Sequence, residues 1–270
     1  MKAVIPSDVY KGFEKLGIVN ERVVIHSSLS SFGELRGGAE ALLDVIISSF
    51  KTVLMPAFCW DSVTVPPEGD RPRQNGCDYS FYDSWDRKPA PFVVENAGME
   101  RSIGIVSQRF LGISTALRSD HAWHSWAAYG DEAEQLTKYH PWDSTNLPLE
   151  GLSCLGGYIV LLGVKLNSCT AIHIAEERAG RRPFIRWAIN RSGNVKRVRA
   201  SGCAKGFNNI LPFCKELFKI IYIGKCCVMV TPIEPFIKFV TSVILSQPEV
   251  TKCSVSCVRC RDAILGGPIE

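Results

Sequence analysis

The segment RVVIHSSLSSFGELRGGAEALLDVIISSFKTVLMP, residues 22–56, indicates the fold. It begins with an apolar run at 22–26 and continues through a loop rich in Ser and Gly at 27–38. Residues 39–50 then place apolar side chains at helical spacing, and a second apolar run follows at 52–56. Strand, loop, helix and strand in this order form an α/β unit, so we expect a sheet with helices packed against it.

The rest of the chain continues this pattern. We predict helices at 6–16, 98–110, 171–178, 210–218 and 235–245, strands at 158–164 and 226–230, and a hairpin of 184–189 with 195–198. Because the run YIVLLGV is apolar throughout, we place it inside the sheet. The simplest architecture is one three-layer α/β/α domain over residues 1–270 with a mixed sheet. We expect it to carry an irregular aromatic and acidic loop at 61–95 and a Cys-rich tail at 246–270.

The composition excludes several classes of protein. The chain has 270 residues, 46% hydrophobic and 21% charged, with a net charge of +4, so it is not intrinsically disordered. No apolar run reaches the roughly 18 residues of a membrane helix, and no secretory signal is recognisable. We therefore expect a cytoplasmic protein without a membrane partner. The mild net charge also argues against a dedicated nucleic-acid binder.

The charge is unevenly divided along the chain. Residues 1–150 hold 14 Lys and Arg against 20 Asp and Glu, whereas residues 151–270 hold 17 against 7. One interpretation is ordinary unevenness of surface charge. The other is one surface for a cation and another for an anion.

Eleven cysteines are many for a chain without a secretory signal, and free thiols are the default there. Cys253, Cys257 and Cys260 have Cys-x3-Cys-x2-Cys spacing. A zinc site would need a fourth ligand, for which Cys226 or Cys227 is a candidate. A metal, a disulfide and free thiols all remain open, and no metal ligand is assigned.

The loop HSSLSSFGELRGG, residues 26–38, lies between a predicted strand and a predicted helix. Its small side chains, backbone N–H groups and the following helix N-terminus suit a phosphate or another anion. It lacks both the P-loop motif and the dinucleotide fingerprint. A plain tight connection between strand and helix explains it equally well.

The segment NSCTAIHIAEERAG, residues 167–180, carries the strongest chemical signal. His173 and Glu176 are three residues apart and share one helix face, and Thr170 lies one turn earlier. A carboxylate beside an imidazole orients it and raises its pKa, which suits a general base. The alternative is an ordinary surface or core histidine.

A third segment, RSDHAWHSWAAYG at residues 118–130, combines two histidines with two tryptophans. We interpret His121 and His124 as part of a pocket lining rather than as zinc ligands. Arg118 suits a phosphate, with a structural ion pair as the alternative.

Taken together and in this order, these segments, with VLMPAF (53–58) and YIVLLGV, resemble the aminoglycoside 3-N-acetyltransferase family over about residues 5–200. The resemblance implies an acetyl-CoA-dependent acyltransferase of the antibiotic-resistance type, with a three-layer mixed-sheet fold unlike the GNAT fold. It implies a catalytic role for Thr170, His173 and Glu176. The residues that it implies for CoA binding are His26, Ser27, Ser28, Leu29, Phe32, Gly33, Gly37, Gly38, Arg118 and Ser119.

The implied reaction is direct transfer of acetyl to an amine, with His173 as the base. For a polycationic aminoglycoside we expect acceptor contacts from Asp61, Glu95, Asp120, His124 and Asp143. The partners would then be a small-molecule amine and CoA, with a homodimer left open. The first alternative is acetylation of an amino-sugar nucleotide or another biosynthetic amine. The second is a non-catalytic CoA- or metal-binding protein, against which the intact pair of His173 and Glu176 argues.

Overall fold

The computed structural model describes residues 3–86 and 88–270, in which nine strands form two sheets. The strands are β1 (Arg22–Ser27), β2 (Thr52–Pro56), β3 (Leu117–Arg118), β4 (Trp126–Gly130), β5 (Tyr158–Leu162), β6 (Phe184–Ile189), β7 (Val195–Ala200), β8 (Lys219–Ile223) and β9 (Cys226–Pro232). Seven of them form the main sheet in the order β3-β4-β2-β1-β5-β9-β8, and β6 and β7 form a separate antiparallel hairpin.

The main sheet is mixed, as the sequence predicted. β1 pairs in parallel with both β2 and β5, and the flanking strands are antiparallel to their neighbours. The three parallel strands therefore end at the same edge of the sheet, which is where α/β proteins usually place a ligand.

Helices cover both faces of this sheet. They are α1 (Pro6–Leu16), α2 (Gly38–Ser49), α3 (Ile105–Leu111), α4 (Ala133–Thr137), α5 (Leu147–Cys154), α6 (Ala171–Arg178), α7 (Leu211–Cys214), α8 (Ile233–Ser246) and α9 (Val258–Ile264). Apolar side chains of α1, α2 and α3 pack on one face, and those of α4, α5, α6 and α8 pack on the other. No helix in the described ranges is both long enough and apolar enough to cross a membrane.

Successive side chains of β1 point to opposite faces of the main sheet, and both faces are buried. Val23 and Ile25 belong to the first apolar cluster and Val24 to the second, and all three are fully buried. β2 and β5 divide their side chains in the same way. A strand that is buried on both sides needs an uninterrupted apolar run, which is the pattern seen at 23–25 and 159–162.

The structure corrects two of the predicted helices and adds two strands that were not predicted. The helix predicted at 98–110 is a short 3-10 turn at Arg101–Ile103 followed by α3, because Gly104 interrupts it. The helix predicted at 210–218 contains only one α-helical turn, and strand β8, which the sequence did not indicate, follows directly. Strand β4 was also missed, since WAAYG contains no β-branched residue.

Gly163, directly after β5, allows the sheet and the β1–α2 connection to meet. Its φ is +69°, and a Cβ there would lie 1.8 Å from Ser31 Oγ and 2.2 Å from Ser31 Cβ. The same connection is held by a hydrogen bond of 2.9 Å from the Ser28 N–H to the Leu162 carbonyl. Only a residue without a side chain permits this approach.

Replacing Gly163 by Ala should therefore destabilise the protein by about 2–5 kcal/mol, from left-handed backbone strain and the clash with Ser31 together. Gly156→Ala is the matched control, because Gly156 has a φ of +76° and a Cβ there would meet nothing within 4 Å. The control should cost only about 1–2 kcal/mol. Urea-induced unfolding measures both values, and equal losses would contradict a role for the close approach.

Candidate active site

A cleft of about 890 Å³ opens at the carboxyl ends of the three parallel strands. His26 and Ser27 line it from the end of β1. Pro56 lines it from the end of β2, Phe58 from just after β2, and Val164 from the segment after β5. Its size lies at the upper end of the roughly 300–1,000 Å³ of small-molecule sites, which suits a long ligand or two ligands together.

The loop after β1 forms one wall of the cleft. Ser31 Oγ donates to the Ser28 carbonyl at 2.6 Å, and the Gly33 N–H donates to the Ser30 carbonyl at 3.1 Å, which fixes a short 3-10 turn. Of the residues that the sequence assigned to CoA in this loop, six line the cleft: His26, Ser27, Ser28, Leu29, Gly33 and Gly38. Phe32 lies in the core, 2% exposed, and Gly37 caps α2 without being among the lining residues.

His26 faces the cleft as a neutral imidazole. Burial lowers its pKa to about 4, because the charged form is penalised away from water. Its Nε2 has no hydrogen-bond partner among the described residues. A buried nitrogen without a partner at the wall of a cleft is a natural contact for a polar ligand atom.

The catalytic helix predicted at 171–178 is α6, and it presents Thr170 and His173 to the cleft. His173 Nδ1 lies 2.8 Å from Glu176 Oε2, and both residues are buried, with 8% and 6% exposure. The i,i+3 pair inferred from the sequence is therefore a formed hydrogen bond. With Nδ1 engaged, Nε2 is the ring nitrogen left to accept a proton.

Arg181 completes this arrangement and was not anticipated. Its Nη1 donates to Glu176 Oε1 at 2.6 Å, and the same guanidinium contacts Thr251 Oγ1 at 2.6 Å and the Pro248 carbonyl at 2.5 Å. Arg181 is 7% exposed, so the ion pair with Glu176 is buried. The only sequence signal was its position one to two turns beyond Glu176.

Arg118 and Ser119 lie outside the cleft and hold its neighbouring segment in place. Arg118 donates to the carbonyls of Ala57, Ala97 and Gly98 and to Ser125 Oγ, at 2.5–3.0 Å. The fully buried Ser119 hydroxyl contacts His140 Nδ1 at 2.9 Å and accepts from the Trp126 N–H. Because these side chains are occupied within the protein, neither reaches the cleft that the loop after β1 lines.

His124 is the residue of that segment that reaches the cleft. Its Nε2 accepts the Ser201 N–H at 3.0 Å, and its ring stands edge-on to Phe58 with centroids 4.7 Å apart. Burial, followed by the nearby charge of His173, lowers the pKa of His124 well below its ordinary value. Neutral His124 therefore presents a polar edge to the cleft without adding a positive charge there.

The acidic residues expected around the acceptor do not gather at this cleft. Asp61 lines a smaller cavity of about 220 Å³ with Cys59 and Phe92. Glu95 forms an exposed ion pair with Arg191, and Asp120 and Asp143 are exposed elsewhere. Among the described lining residues, Glu34 is the single acid. The positions of these residues along the sequence did not show whether the fold would bring their side chains to the cleft.

Several cleft residues were missed by sequence reasoning. They come from the 3-10 turn and start of α3, from the residue before the aromatic loop, and from the segment after β7: Ser102, Ile103, Gly104, Ile105, Val106, Ser107, Trp60 and Ala204. Phe207 packs against the His173 ring with centroids 4.7 Å apart. Their sequence neighbourhoods show no motif, so only the fold reveals them.

Comparison with known protein families gives one match that covers most of the chain. The family model described as aminoglycoside 3-N-acetyltransferase matches residues 24–242. The aminoglycoside N(3)-acetyltransferase III of Salmonella sp is 30% identical over 221 residues, covering 72% of this chain and 69% of that protein. The prophage-derived aminoglycoside N(3')-acetyltransferase-like protein YokD of Bacillus subtilis is 31% identical over 207 residues, covering 73% and 71%.

Solved structures share the fold at lower identity. The AAC-IIIb binary complex with CoASH superposes with a TM-score of 0.75 at 17% identity, covering 91% of this chain and 98% of that one. A mutant of aminoglycoside acetyltransferase AAC(3)-IVa in complex with a gentamicin gives a TM-score of 0.76 at 20% identity, covering 98% of both chains. The predicted α/β fold with a mixed sheet is confirmed.

Arg181→Met should lower the free energy of unfolding by about 3–5 kcal/mol, because it leaves the Glu176 carboxylate buried without its cation. The double variant Glu176→Gln with Arg181→Met should recover much of this loss. Arg191→Met is the control, since its ion pair with Glu95 is about 60% exposed and worth less than about 1 kcal/mol. Urea unfolding measures the free energy of unfolding of all three variants. Wild-type stability of Arg181→Met would contradict the stabilising role of the buried ion pair.

Glu177, next to Glu176, should make stability depend on pH. Burial raises its pKa from 4.5 to about 7, and the hydrogen bond from Thr145 Oγ1 at 2.5 Å only partly opposes this. The folded state therefore binds the proton more tightly than the unfolded state, so stability falls as pH rises from about 4.5 to about 7. The loss is about 3 kcal/mol at most. In urea unfolding at several pH values, Glu177→Gln should remove this decrease in the free energy of unfolding. The same pH dependence in wild type and variant would contradict the role of Glu177.

Proposed function

Because this chain belongs to the aminoglycoside 3-N-acetyltransferase family, we propose that it transfers acetyl from acetyl-CoA to an amine of an aminoglycoside-type acceptor. The observation that carries this proposal is the buried pair of His173 and Glu176 at the wall of a large cleft. We place the enzyme in the cytoplasm, acting as a single domain over residues 1–270, with a homodimer as the alternative to a monomer.

Acetyl-CoA would lie against the loop after β1. Its phosphates suit the N-terminus of α2 near Gly38, where the first N–H groups of a helix have no acceptor within the helix. The apolar side chains of Leu29 and Val106 suit the pantetheine arm. The related fold in complex with CoASH supports this assignment.

His173 would take a proton from the acceptor amine through Nε2. Since Glu176 holds Nδ1 and Arg181 holds Glu176, the imidazole has one orientation and its charged form has a nearby counter-charge. The amine nitrogen then forms a bond to the acetyl carbon while the carbon–sulfur bond breaks. The proton passes from His173 to the leaving thiolate, which regenerates the base.

Thr170 would assist the charge that develops on the acetyl oxygen or on the leaving sulfur. It lines the cleft one turn before His173, and its side chain makes no capping hydrogen bond to α6. A hydroxyl that is not engaged by the helix can donate to this charge when it forms.

A second acceptor class is favoured by one observation. Glu34 is the single acid among the described residues that line the cleft, whereas an aminoglycoside carries several positive charges. An amino-sugar nucleotide, with fewer positive charges, would need less acidic surroundings. The acetyl-transfer step and its residues are the same in both cases.

Thiol release from acetyl-CoA, measured against several aminoglycosides and an amino-sugar nucleotide, tests the proposal. His173→Ala should lower kcat by about 100- to 10,000-fold, because it removes the base. Glu176→Gln should cause a smaller loss. Glu177→Gln is its matched control, since the neighbouring carboxylate contacts Thr145 rather than His173, and it should retain wild-type turnover near pH 7.5.

The outcomes separate the parts of the proposal. Turnover that survives His173→Ala would contradict the general-base role. If only the amino-sugar nucleotide is acetylated, it replaces the aminoglycoside as the proposed acceptor. Absence of turnover with every amine of the panel would overturn the assignment as an enzyme for these substrates.

A further inference from the structure

We propose that Cys203, Cys253, Cys257 and Cys260 form a structural zinc site that joins the wall of the cleft to the C-terminal tail. Three of these residues have the Cys-x3-Cys-x2-Cys spacing noted in the sequence. The fourth ligand is Cys203, which follows β7, and not Cys226 or Cys227. The latter two lie in β9, and neither belongs to the group of four.

The four sulfurs have the separations of a single tetrahedral ion. All lie within 4.8 Å of one another, with Cys253 Sγ 3.8 Å from Cys203 Sγ and 3.6 Å from Cys260 Sγ. A tetrahedron with zinc–sulfur bonds of about 2.3 Å has edges of about 3.8 Å. A disulfide would instead need a sulfur–sulfur distance of about 2.05 Å.

The ligand chemistry selects the metal. Four thiolates are soft ligands, which favour zinc over magnesium or calcium. Four protein ligands close the coordination shell, so the ion would have no open position for substrate and its role would be structural. The compact group of sulfurs has room for one ion rather than for an iron–sulfur cluster.

A backbone N–H group already points at one of the sulfurs. The Cys253 N–H donates to Cys260 Sγ, with 3.5 Å between nitrogen and sulfur. Such a contact orients the sulfur, as the outer shell of a metal site does. Cys203 and Cys260 are buried at 5% exposure each, so half of the site is shielded from water.

The site would connect two segments that support the catalytic histidine. The segment after Cys203 contains Ala204, which lines the cleft, and Phe207, which packs on His173. The segment before Cys253 contains Thr251, which contacts Arg181. At Gly206 the two segments touch directly, because a Cβ there would lie 2.2 Å from the Thr251 carbonyl oxygen. One bound ion would fix the position of the segment after Cys203 relative to the segment before Cys253.

Elemental analysis tests the site without relying on activity. Protein purified without chelator from zinc-supplemented medium should contain about one zinc per chain, as a closed four-cysteine site requires. Replacement by cobalt should give the visible absorption and thiolate charge-transfer bands of tetrahedral sulfur coordination. Removal of zinc should expose four additional thiols to a thiol reagent and lower the Tm.

Single variants identify the ligands. Cys203→Ser and Cys257→Ser should each lose most of the bound zinc and the cobalt spectrum. Cys227→Ser is the matched control, since Cys227 is also partly buried and lies outside the group, and it should retain both. Wild-type measurements keep the test valid if a ligand variant does not fold.

Four results would overturn the proposal. They are wild-type protein without stoichiometric zinc, an iron–sulfur absorption spectrum, a disulfide among the four cysteines by mass spectrometry, and full zinc content in folded Cys203→Ser. Because none of these readouts involves acetyl transfer, failure of the zinc site and failure of the proposed enzymatic function can be told apart.

Discussion

The site depends on one buried carboxylate. Glu176 accepts hydrogen bonds from His173 on one oxygen and from Arg181 on the other, so a single group fixes the imidazole and also requires the cation behind it. A buried carboxylate without such partners would be costly, and the surrounding elements are therefore arranged to supply them. Arg181 in turn requires acceptors from the tail, which Thr251 and Pro248 provide.

The C-terminal tail thus acts as part of the site although it does not line the cleft. It supports Arg181 from one side, and through the proposed zinc site it holds Ala204 and Phe207 from the other. Asp262 adds a further connection by accepting the Gly76 N–H at 2.9 Å, which ties the tail to the irregular loop after β2. The chemistry proposed for α6 would therefore rest on segments about 70 residues away in the chain, as the contact between Arg181 and Thr251 illustrates.

The histidines show how burial assigns different tasks to the same residue type. His26 and His124 both line the cleft, but burial holds both in the neutral form. His121 and His140 stack on each other with centroids 4.4 Å apart and hold the segment that carries His124. Among these rings His173 has the carboxylate partner, which the sequence indicated through the spacing of His173 and Glu176.

Local patterns determined much of this protein. Strands β1, β2 and β5 are buried on both faces and therefore need apolar runs, so these strands could be predicted. The three-residue spacing of His173 and Glu176 on a helix brings their side chains together, so this pair could be predicted as well. The tertiary structure decided which distant groups meet: Arg181 with Glu176, Cys203 with the tail cysteines, and the placement of Asp61, Glu95, Asp120 and Asp143 away from the cleft. The physical reason is the separation along the chain over which each kind of constraint acts. Helix and strand periodicity constrain neighbours within a few residues, whereas contacts between remote segments depend on how the two faces of the sheet are covered.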